Sequence, residues 1–247
     1  MITAVVGASG ATGKLLVAQL LDAGQKVKII VRSSSPIPEQ WESHERITVI
    51  RVNAMAAISI DEMAAYLKDC QSVASCLGHN PSFRGIYGKP RRLVEETIRL
   101  FCEAAIRNAP EKPIRLVLMN TAGNSNRDLD ERISFRQKIV TGLFRLLLPP
   151  YRDNERVADY LRVKIGPNNP FVEWTVVRPD SLIDEKSVTD YSLHPSPTRS
   201  ALFDPGYTSR SNVAHFMCRL LRNDAVWNKW KGQMPVLYND NTTEQGK

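Results

Sequence analysis

The sequence predicts an α/β protein with a doubly wound, mostly parallel sheet and helices on both faces. Short apolar runs alternate with amphipathic segments along the whole chain, a glycine-rich turn follows the first apolar run, and no repeat of about 20–50 residues is visible. Strand–helix alternation at this spacing implies right-handed crossovers and parallel neighbours. The 247 residues, 43% of them hydrophobic, suffice for one large core.

The individual strands and helices are predicted from the spacing of apolar residues and from the glycines and prolines at their ends. Strands are predicted over 2–7, 26–31, 47–52, 71–78, 114–120, 171–177 and 234–239. Helices are predicted over 11–24, 59–69, 93–107, 133–148, 152–164 and 211–221. Ser59 and Glu62 form a capping-box pattern at the start of one helix. Pro149-Pro150 separates two others.

The charged residues and cysteines narrow the functional class. The net charge is +7, but the basic residues are scattered and their longest cluster is Lys89-Pro90-Arg91-Arg92, so we expect an anionic small-molecule ligand and no nucleic-acid partner. The four cysteines, Cys70, Cys76, Cys102 and Cys218, lack metal-site spacing. The last three lie in apolar runs and are expected to be buried reduced thiols. No metal site is predicted.

We also expect a cytoplasmic protein without a membrane partner. Met1 leads directly into a strand-like run with no cationic segment before it. The most apolar stretch outside the strands, 142–150, is interrupted by Arg145 and is much shorter than the ~20 residues of a membrane span. Whether the protein is a monomer or a homodimer is left open by the sequence.

The glycine-rich turn, Gly7-Ala8-Ser9-Gly10-Ala11-Thr12-Gly13, joins the first predicted strand to the first predicted helix. In a dinucleotide-binding turn, Gly7 would permit the tight bend, Gly10 would let a pyrophosphate approach the backbone, and Gly13 would let helix and strand pack closely. The helix N-terminus then offers free N–H donors to the phosphates. This placement predicts a Rossmann-like dinucleotide-binding fold.

The end of the second strand decides which dinucleotide is favoured. A carboxylate there would accept from the ribose 2′-hydroxyl of NAD(H), but the sequence has Arg32-Ser33-Ser34-Ser35. A guanidinium and several hydroxyls suit a phosphate monoester. We therefore predict that NADP(H) is preferred over NAD(H).

Several runs spread over nearly the whole chain resemble the atypical short-chain dehydrogenases/reductases, in particular the NmrA-like NAD(P)-binding group. They are VVGASGATGKLLV, IIVRSSS, SCLGHN, VLMNTAGN, EWTVVRPDSL and TSRSNVAHFM. The resemblance implies a cofactor path along the carboxyl ends of the strands, formed by Gly7, Ser9, Gly10, Ala11, Thr12, Gly13, Arg32, Ser33, Asn53, Leu77, Gly78, Asn120, Thr121, Pro179 and Ser181. Asn53 stands where the family often has an aspartate.

The catalytic residues are less clearly indicated. Active relatives use a Tyr-x-x-x-Lys pair, and Tyr160 and Lys164 match it in letters but lie too close to the next strand, so we interpret them as a helix end. Tyr151 lies nearer the expected position, with Glu155 in place of the lysine; a carboxylate raises a phenol pKa instead of lowering it.

The remaining catalytic candidates are Thr121 and His79. Thr121 occupies the position of the family serine and could bind a substrate oxygen, while His79 follows the fourth strand, either in the cleft or on a solvated loop. The segment 179–210 has little regular pattern, and we expect it to be a substrate-side loop region of a single domain spanning 1–247.

The leading function is an NADP(H)-dependent oxidoreductase that transfers hydride to or from a small carbonyl or enone-like substrate. An enzyme that takes its proton from water would not need the Tyr–Lys pair. Two alternatives remain: an NADP(H)-binding redox sensor without turnover, and an isomerase or dehydratase on the same fold.

Overall fold

The computed structural model describes residues 1–79, 82–131 and 133–240. Asn80 of the SCLGHN run and the last seven residues of the predicted domain lie outside this range. The strands are β1 (Ile2–Val6), β2 (Lys26–Arg32), β3 (Ile47–Val52), β4 (Ser72–Ser75), β5 (Ile114–Met119), β6 (Val172–Pro179), β7 (Ser181–Ile183), β8 (Tyr191–His194), β9 (Tyr207–Ser209) and β10 (Val236–Asn239). The helices are α1 (Ala11–Asp22), α2 (Ile60–Leu67), α3 (Phe83–Tyr87), α4 (Leu93–Asn108), α5 (Phe135–Leu147), α6 (Pro149–Asp159), α7 (Arg210–Arg222) and α8 (Asp224–Trp230).

The main sheet confirms the predicted fold class. Its strand order is β3-β2-β1-β4-β5-β6-β10-β8, and every neighbouring pair is parallel except β10 and β8. The order reverses between β1 and β4, so the connections after these two strands diverge and leave a crevice at their carboxyl ends. That crevice is where a doubly wound fold places its ligand.

Two hydrophobic clusters cover the two faces of this sheet. One contains Met63, Phe101 and Leu161 from the α2, α4 and α6 side, and the other contains Leu16, Phe216 and Trp227 from the α1, α7 and α8 side. All four cysteines are free and buried in the structure, which confirms the prediction for Cys76, Cys102 and Cys218. In the part of the chain that is described, no helix combines the length and apolar character needed to cross a membrane.

The predicted strands and long helices are present, with shifted ends. The capping box is confirmed: Ser59 N donates to Glu62 Oε2 at 2.8 Å and Glu62 N donates to Ser59 Oγ at 3.2 Å. Pro149 and Pro150 belong to the first turn of α6, where proline needs no N–H partner. Residues 160–165 continue that helix as a π-helical turn.

Three parts of the fold differ from the sequence prediction. The segment 179–210 contains the short strands β7, β8 and β9, of which β7 and β9 form a separate parallel pair. The helices α3 and α8 were not predicted, because five and seven residues are too short for a clear helical period.

Arg178, at the end of β6, ties the loops around this strand together. Its fully buried guanidinium donates to the carboxylate of Glu131 at 2.7 Å and to the carbonyl oxygens of Asn124, Pro195 and Met234 at 2.8, 3.1 and 2.6 Å. The Glu131 side chain is 4% exposed. If one partner of such a buried ion pair is removed, the other charge stays buried without a partner, and this destabilises the folded protein.

Arg178→Met should therefore lower the free energy of unfolding by about 3–5 kcal/mol, because it leaves the Glu131 carboxylate buried without its cation. Urea denaturation measures this change. The matched control is Arg199→Met, which removes an exposed ion pair with Asp204 and should leave the unfolding curve nearly unchanged. Equal losses in the two variants would contradict the role assigned to Arg178.

Candidate functional site

The glycine turn has the geometry that the sequence predicts. Gly7 has φ +72°, and a Cβ added there would lie 2.5 Å from the carbonyl carbon of Cys76, so no side chain fits. A Cβ on Gly13 would overlap the carbonyl oxygen of Gly7, which fixes the close packing of α1 on the turn. A Cβ on Gly10 would have only the Gly7 oxygen, at 3.3 Å, within 4 Å. No side chain caps α1 at Gly10, so backbone N–H groups of its first turn can serve an external acceptor.

A cleft of about 560 Å³ opens beside this turn and extends across the ends of β1, β2 and β4. The predicted cofactor residues that line it are Gly7, Ser9, Gly10, Arg32, Asn53, Leu77 and Gly78. Those that do not line it are Ala11, Thr12, Gly13, Ser33, Asn120, Thr121, Pro179 and Ser181. We call it the nucleotide cleft. Its far wall is formed by the segment 82–93, which contains α3 and which sequence reasoning did not connect with the cofactor.

The hydroxyls after β2 are not equivalent. Ser33 directs its hydroxyl to the carbonyl oxygen of Val52 at 3.3 Å and is not part of the cleft wall. Ser35, which is 8% exposed, lines the cleft together with the exposed Arg32. Ser35 belongs to the Arg32-Ser33-Ser34-Ser35 run of the sequence analysis. The sequence could not show which serine faces the cleft, because the chain turns after β2.

A second cleft of about 540 Å³ shares Gly78 and His79 with the nucleotide cleft. Its polar groups come from Thr121, Tyr151 and Asp180, and Ser181 also lines it. Its apolar wall is formed by Ile86 of α3, Phe144 and Leu148 at the end of α5, Pro150 of α6, and Ala201 and Leu202. We call it the apolar cleft. The two clefts therefore adjoin at Gly78 and His79.

Asn120 and Thr121, immediately after β5, have different surroundings. The Asn120 amide donates to the carbonyl oxygen of Asn154 at 3.0 Å and accepts from Thr121 N at 2.9 Å, so it holds the β5 turn against α6. The Thr121 hydroxyl oxygen accepts from Gly123 N at 3.2 Å. Within the described residues this is its only hydrogen bond, which leaves the hydroxyl proton available to a ligand in the apolar cleft.

Tyr151 uses its phenol proton within the protein. Its hydroxyl donates to the carbonyl oxygen of Gly123 at 2.8 Å. Burial, and then the nearby Glu155 carboxylate, raise the pKa of Tyr151 to about 12. Glu155 is itself held by Arg145, with Nη2 2.7 Å from Oε1. This geometry favours a positioning role for Tyr151, which fixes the turn that carries Thr121.

His79 does not offer a proton to the clefts, although it forms part of their shared wall. Its Nε2 lies 2.7 Å from Asp153 Oδ2 and its Nδ1 lies 3.2 Å from the carbonyl oxygen of Gly85. Both partners are acceptors, so both ring nitrogens carry protons in this arrangement. The hydrogen bond to Asp153 is the main cause that raises the pKa of His79. The ring therefore belongs to the wall of both clefts, and both of its nitrogens are engaged within the protein.

Asp153 and Asp180 were missed by the sequence analysis. The Asp153 carboxylate accepts from His79 and, at 2.9 Å each, from the backbone N–H groups of Val94 and Glu95 in the first turn of α4. Asp180 lies between the predicted residues Pro179 and Ser181, lines the apolar cleft and accepts from Gly206 N at 3.0 Å. Burial raises the pKa of Asp180.

Tyr160 and Lys164 lie at the end of a helix, as predicted. Tyr160 packs against the core cluster beneath α4, with the Arg99 guanidinium carbon 5.3 Å from its ring centroid, and Lys164 is exposed. Neither residue lines the two clefts. In the described ranges, no group of three or more His, Cys, Asp or Glu side chains is arranged to hold a metal ion.

The fold and the glycine turn together define a dinucleotide-binding protein. A family model described as NAD(P)H-binding matches residues 7–224, and the chain belongs to this family. The predicted membership of an NAD(P)-binding family is thereby confirmed. No functionally curated protein has a sequence similar enough to count as a relative.

Among the solved structures with this fold are those of three bacterial proteins. The oxidoreductase ylbE from Lactococcus lactis has 16% sequence identity and a TM-score of 0.69, covering 98% of this chain and 92% of its own. A short-chain dehydrogenase/reductase from Veillonella parvula in complex with NADP has 17% identity and a TM-score of 0.70, covering 98% and 95%. ChuY, an anaerobilin reductase from Escherichia coli O157:H7, has 15% identity and a TM-score of 0.65, covering 98% of each chain.

The His79–Asp153 contact predicts a specific pH dependence of stability. His79→Gln should lower the free energy of unfolding by about 1.5–3 kcal/mol near pH 6, because it removes a charged hydrogen bond to a buried carboxylate. Since the folded pKa of His79 is raised, this stabilisation is complete below the unfolded pKa of about 6.5 and is lost as the pH rises through the folded pKa.

Denaturant unfolding of both proteins from about pH 5.5 to about pH 9 checks this prediction. The difference in unfolding free energy between wild type and variant should narrow toward alkaline pH. A difference that stays constant over the whole range would mean that the His79 ring is not charged in the folded protein.

Proposed function

We propose that this protein is an NADP(H)-dependent oxidoreductase that transfers hydride between the cofactor and a small, apolar carbonyl or enone-like substrate. The observation that carries the proposal is the pair of adjoining clefts. The cleft beside the glycine turn contains Arg32, Ser35 and Lys89, and it shares Gly78 and His79 with a more apolar cleft that contains the Thr121 hydroxyl. The two ends of the cofactor need different surroundings, because its phosphates are charged whereas its reactive nicotinamide ring works in a pocket from which water is excluded.

The nucleotide cleft suits a phosphorylated dinucleotide. Among the described residues that line it, the charged or basic ones are Arg32, Lys89 and His79, and none is acidic. Gly10 leaves the approach to the turn open, since it lines the cleft without a side chain. Arg32 with Ser35 would hold a 2′-phosphate, and the absence of a carboxylate from this wall removes the usual acceptor for a bare ribose.

The Thr121 hydroxyl is the group proposed to bind the substrate oxygen. When bound, the nicotinamide supplies or accepts the hydride at the substrate carbon. In the reducing direction, negative charge develops on the substrate oxygen, and the Thr121 hydroxyl donates to it. The proton that neutralises this oxygen comes from water, because the proton of Tyr151 is directed to Gly123 and those of His79 to Asp153 and Gly85.

Names of similar structures agree with this proposal but leave the substrate open. One similar structure is a complex with NADP, and others are described as an oxidoreductase and as an anaerobilin reductase. The second candidate is a non-catalytic NADP(H) sensor. It is favoured by one observation, the engagement of the Tyr151 phenol and Glu155 with Gly123 and Arg145.

Steady-state NADPH oxidation by the purified protein, assayed against a panel of apolar aldehydes, ketones, enones and quinones, separates the two candidates. The oxidoreductase consumes NADPH with at least one member of the panel. Tight nucleotide binding without consumption across the panel would instead favour the sensor, and failure to bind either nucleotide would contradict both.

Arg32→Asp should weaken NADPH binding by roughly tenfold to hundredfold while changing NADH binding little, because it replaces a charged donor to the 2′-phosphate with a repelling carboxylate. Fluorescence titration with both nucleotides measures the ratio. Arg107→Asp is the matched control, since it makes the same change in net charge on α4, at a residue that pairs with Asp61 and does not line the cleft. An unchanged NADPH-to-NADH ratio in Arg32→Asp would remove Arg32 from the site.

Thr121→Val should lower kcat by about 10²–10³, the usual effect of losing a donor to a developing oxyanion. Thr121→Ser keeps the hydroxyl and should retain most of the activity. Tyr151→Phe should cost less than about tenfold, and Tyr160→Phe is its matched control outside the clefts. A loss of about 10²–10⁴ in Tyr151→Phe would identify the phenol as the proton donor after all.

A further inference from the structure

The outward face of α5 is apolar. Phe135, Ile139, Leu143 and Leu146 are 77%, 58%, 50% and 78% exposed. Their spacing of i, i+4, i+8 and i+11 puts them on one side of the helix. A helix that packs on a globular core normally has the opposite arrangement, with its apolar stripe inward, so this face calls for an explanation.

The inward side of the same helix is already engaged. Thr141 is buried, Phe144 lines the apolar cleft, and Gln137 Oε1 accepts from Ser200 Oγ at 3.0 Å. These contacts hold α5 against the apolar cleft and the loop before β9. The exposed apolar face therefore cannot turn inward without breaking them, and it is a fixed surface feature.

The charge of α5 identifies the chemistry of its partner. The helix carries Arg136, Lys138 and Arg145 and contains no aspartate or glutamate. Arg136 and Lys138 are exposed and flank the apolar face on its two sides, while Arg145 pairs with Glu155. A cation-flanked apolar face is the pattern of helices that lie in the interface of an anionic membrane.

Further exposed apolar side chains lie next to residues that line the apolar cleft, on α3, at the last residue of α5 and in the loop before β9. Tyr87, Leu147 and Phe203 are 40%, 51% and 57% exposed, and each is the chain neighbour of a residue that lines the cleft. Phe83 of α3 is 81% exposed. The basic run of Lys89, Arg91 and Arg92, all exposed, follows α3 directly.

A second copy of this chain suits the surface less well. A two-fold contact through α5 would bring each basic helix against an identical one, with only like charges at its margins. An anionic lipid surface instead supplies an apolar layer for the exposed side chains and negative headgroups for the flanking cations.

We propose that α5 docks this protein on an anionic lipid surface, with Phe135, Ile139, Leu143 and Leu146 buried at the boundary between headgroups and acyl chains. A membrane partner was not expected from the sequence because no segment is long enough to span a bilayer. A helix that lies on the membrane surface does not need that length. If the proposed oxidoreductase function also holds, the substrate enters the apolar cleft from the lipid; this last step rests on the proposed function.

Vesicle flotation tests the docking without any activity measurement. Wild-type protein should float with vesicles of phosphatidylcholine and phosphatidylglycerol, and much less with phosphatidylcholine alone. Arg136→Gln combined with Lys138→Gln should weaken binding to the anionic vesicles roughly 25-fold. Ile139→Glu combined with Leu146→Glu should weaken it by at least about 100-fold.

The matched control is Val163→Glu combined with Val188→Glu, which adds the same charge at two valines that are 67% and 41% exposed elsewhere. This control should bind the anionic vesicles within a few-fold of wild type. Thermal unfolding verifies that each variant is folded, as expected for exposed positions.

Three results would overturn the proposal: wild-type protein that does not float with anionic vesicles, a valine control that loses as much binding as the α5 variant, or a wild-type dimer that the α5 variant converts to a monomer. The last would identify a second copy as the occupant of this face. NADPH oxidation with a water-dissolved substrate, measured separately, shows whether the oxidoreductase function stands when docking fails.

Discussion

Asp153 lies in the middle of α6 and is 1% exposed. Its carboxylate accepts hydrogen bonds from the backbone N–H groups of Val94 and Glu95, in the first turn of α4. It also contacts the ring of His79, which follows β4. The partial positive charge of the helix N-terminus and the hydrogen bond from the His79 ring compensate the desolvation of this carboxylate. Both clefts depend on this contact, because His79 belongs to their shared wall and the α6 backbone at Asn154 receives the amides of Asn120 and Asn124. The site is thus organised around one buried charge.

Most of the sheet could be predicted from the sequence, because strands such as β1, β2 and β5 are short runs in which apolar residues predominate. The region 179–210 could not, since its strands have three or four residues and pair only in the folded protein. α3 is equally short, yet it closes the nucleotide cleft. Its position depends on tertiary contacts such as the His79–Gly85 hydrogen bond, and these leave no periodic signal.

The residues of the candidate site also fall into those that the sequence could place and those that it could not. Gly7, Gly10 and Arg32 could be placed from the sequence, because backbone conformation and the end of a strand determine where they lie. Ser35, Asp153 and Asp180 could not, because their roles depend on the side chain's direction after a turn or within a helix. The sequence also suggested that Glu155 would raise the pKa of the Tyr151 phenol; the structure adds burial as the larger cause.

The four buried cysteines bear on the kind of substrate that the apolar cleft can accept. Enones and quinones are electrophiles that alkylate thiolates by conjugate addition, and the thiolate is the reactive form of cysteine. Burial raises the pKa of Cys76, which borders the nucleotide cleft, to about 12 and that of Cys70 to about 11, and it raises those of Cys102 and Cys218 as well. Protonated thiols react slowly with electrophiles, so this burial would protect the protein from the enone and quinone substrates proposed above.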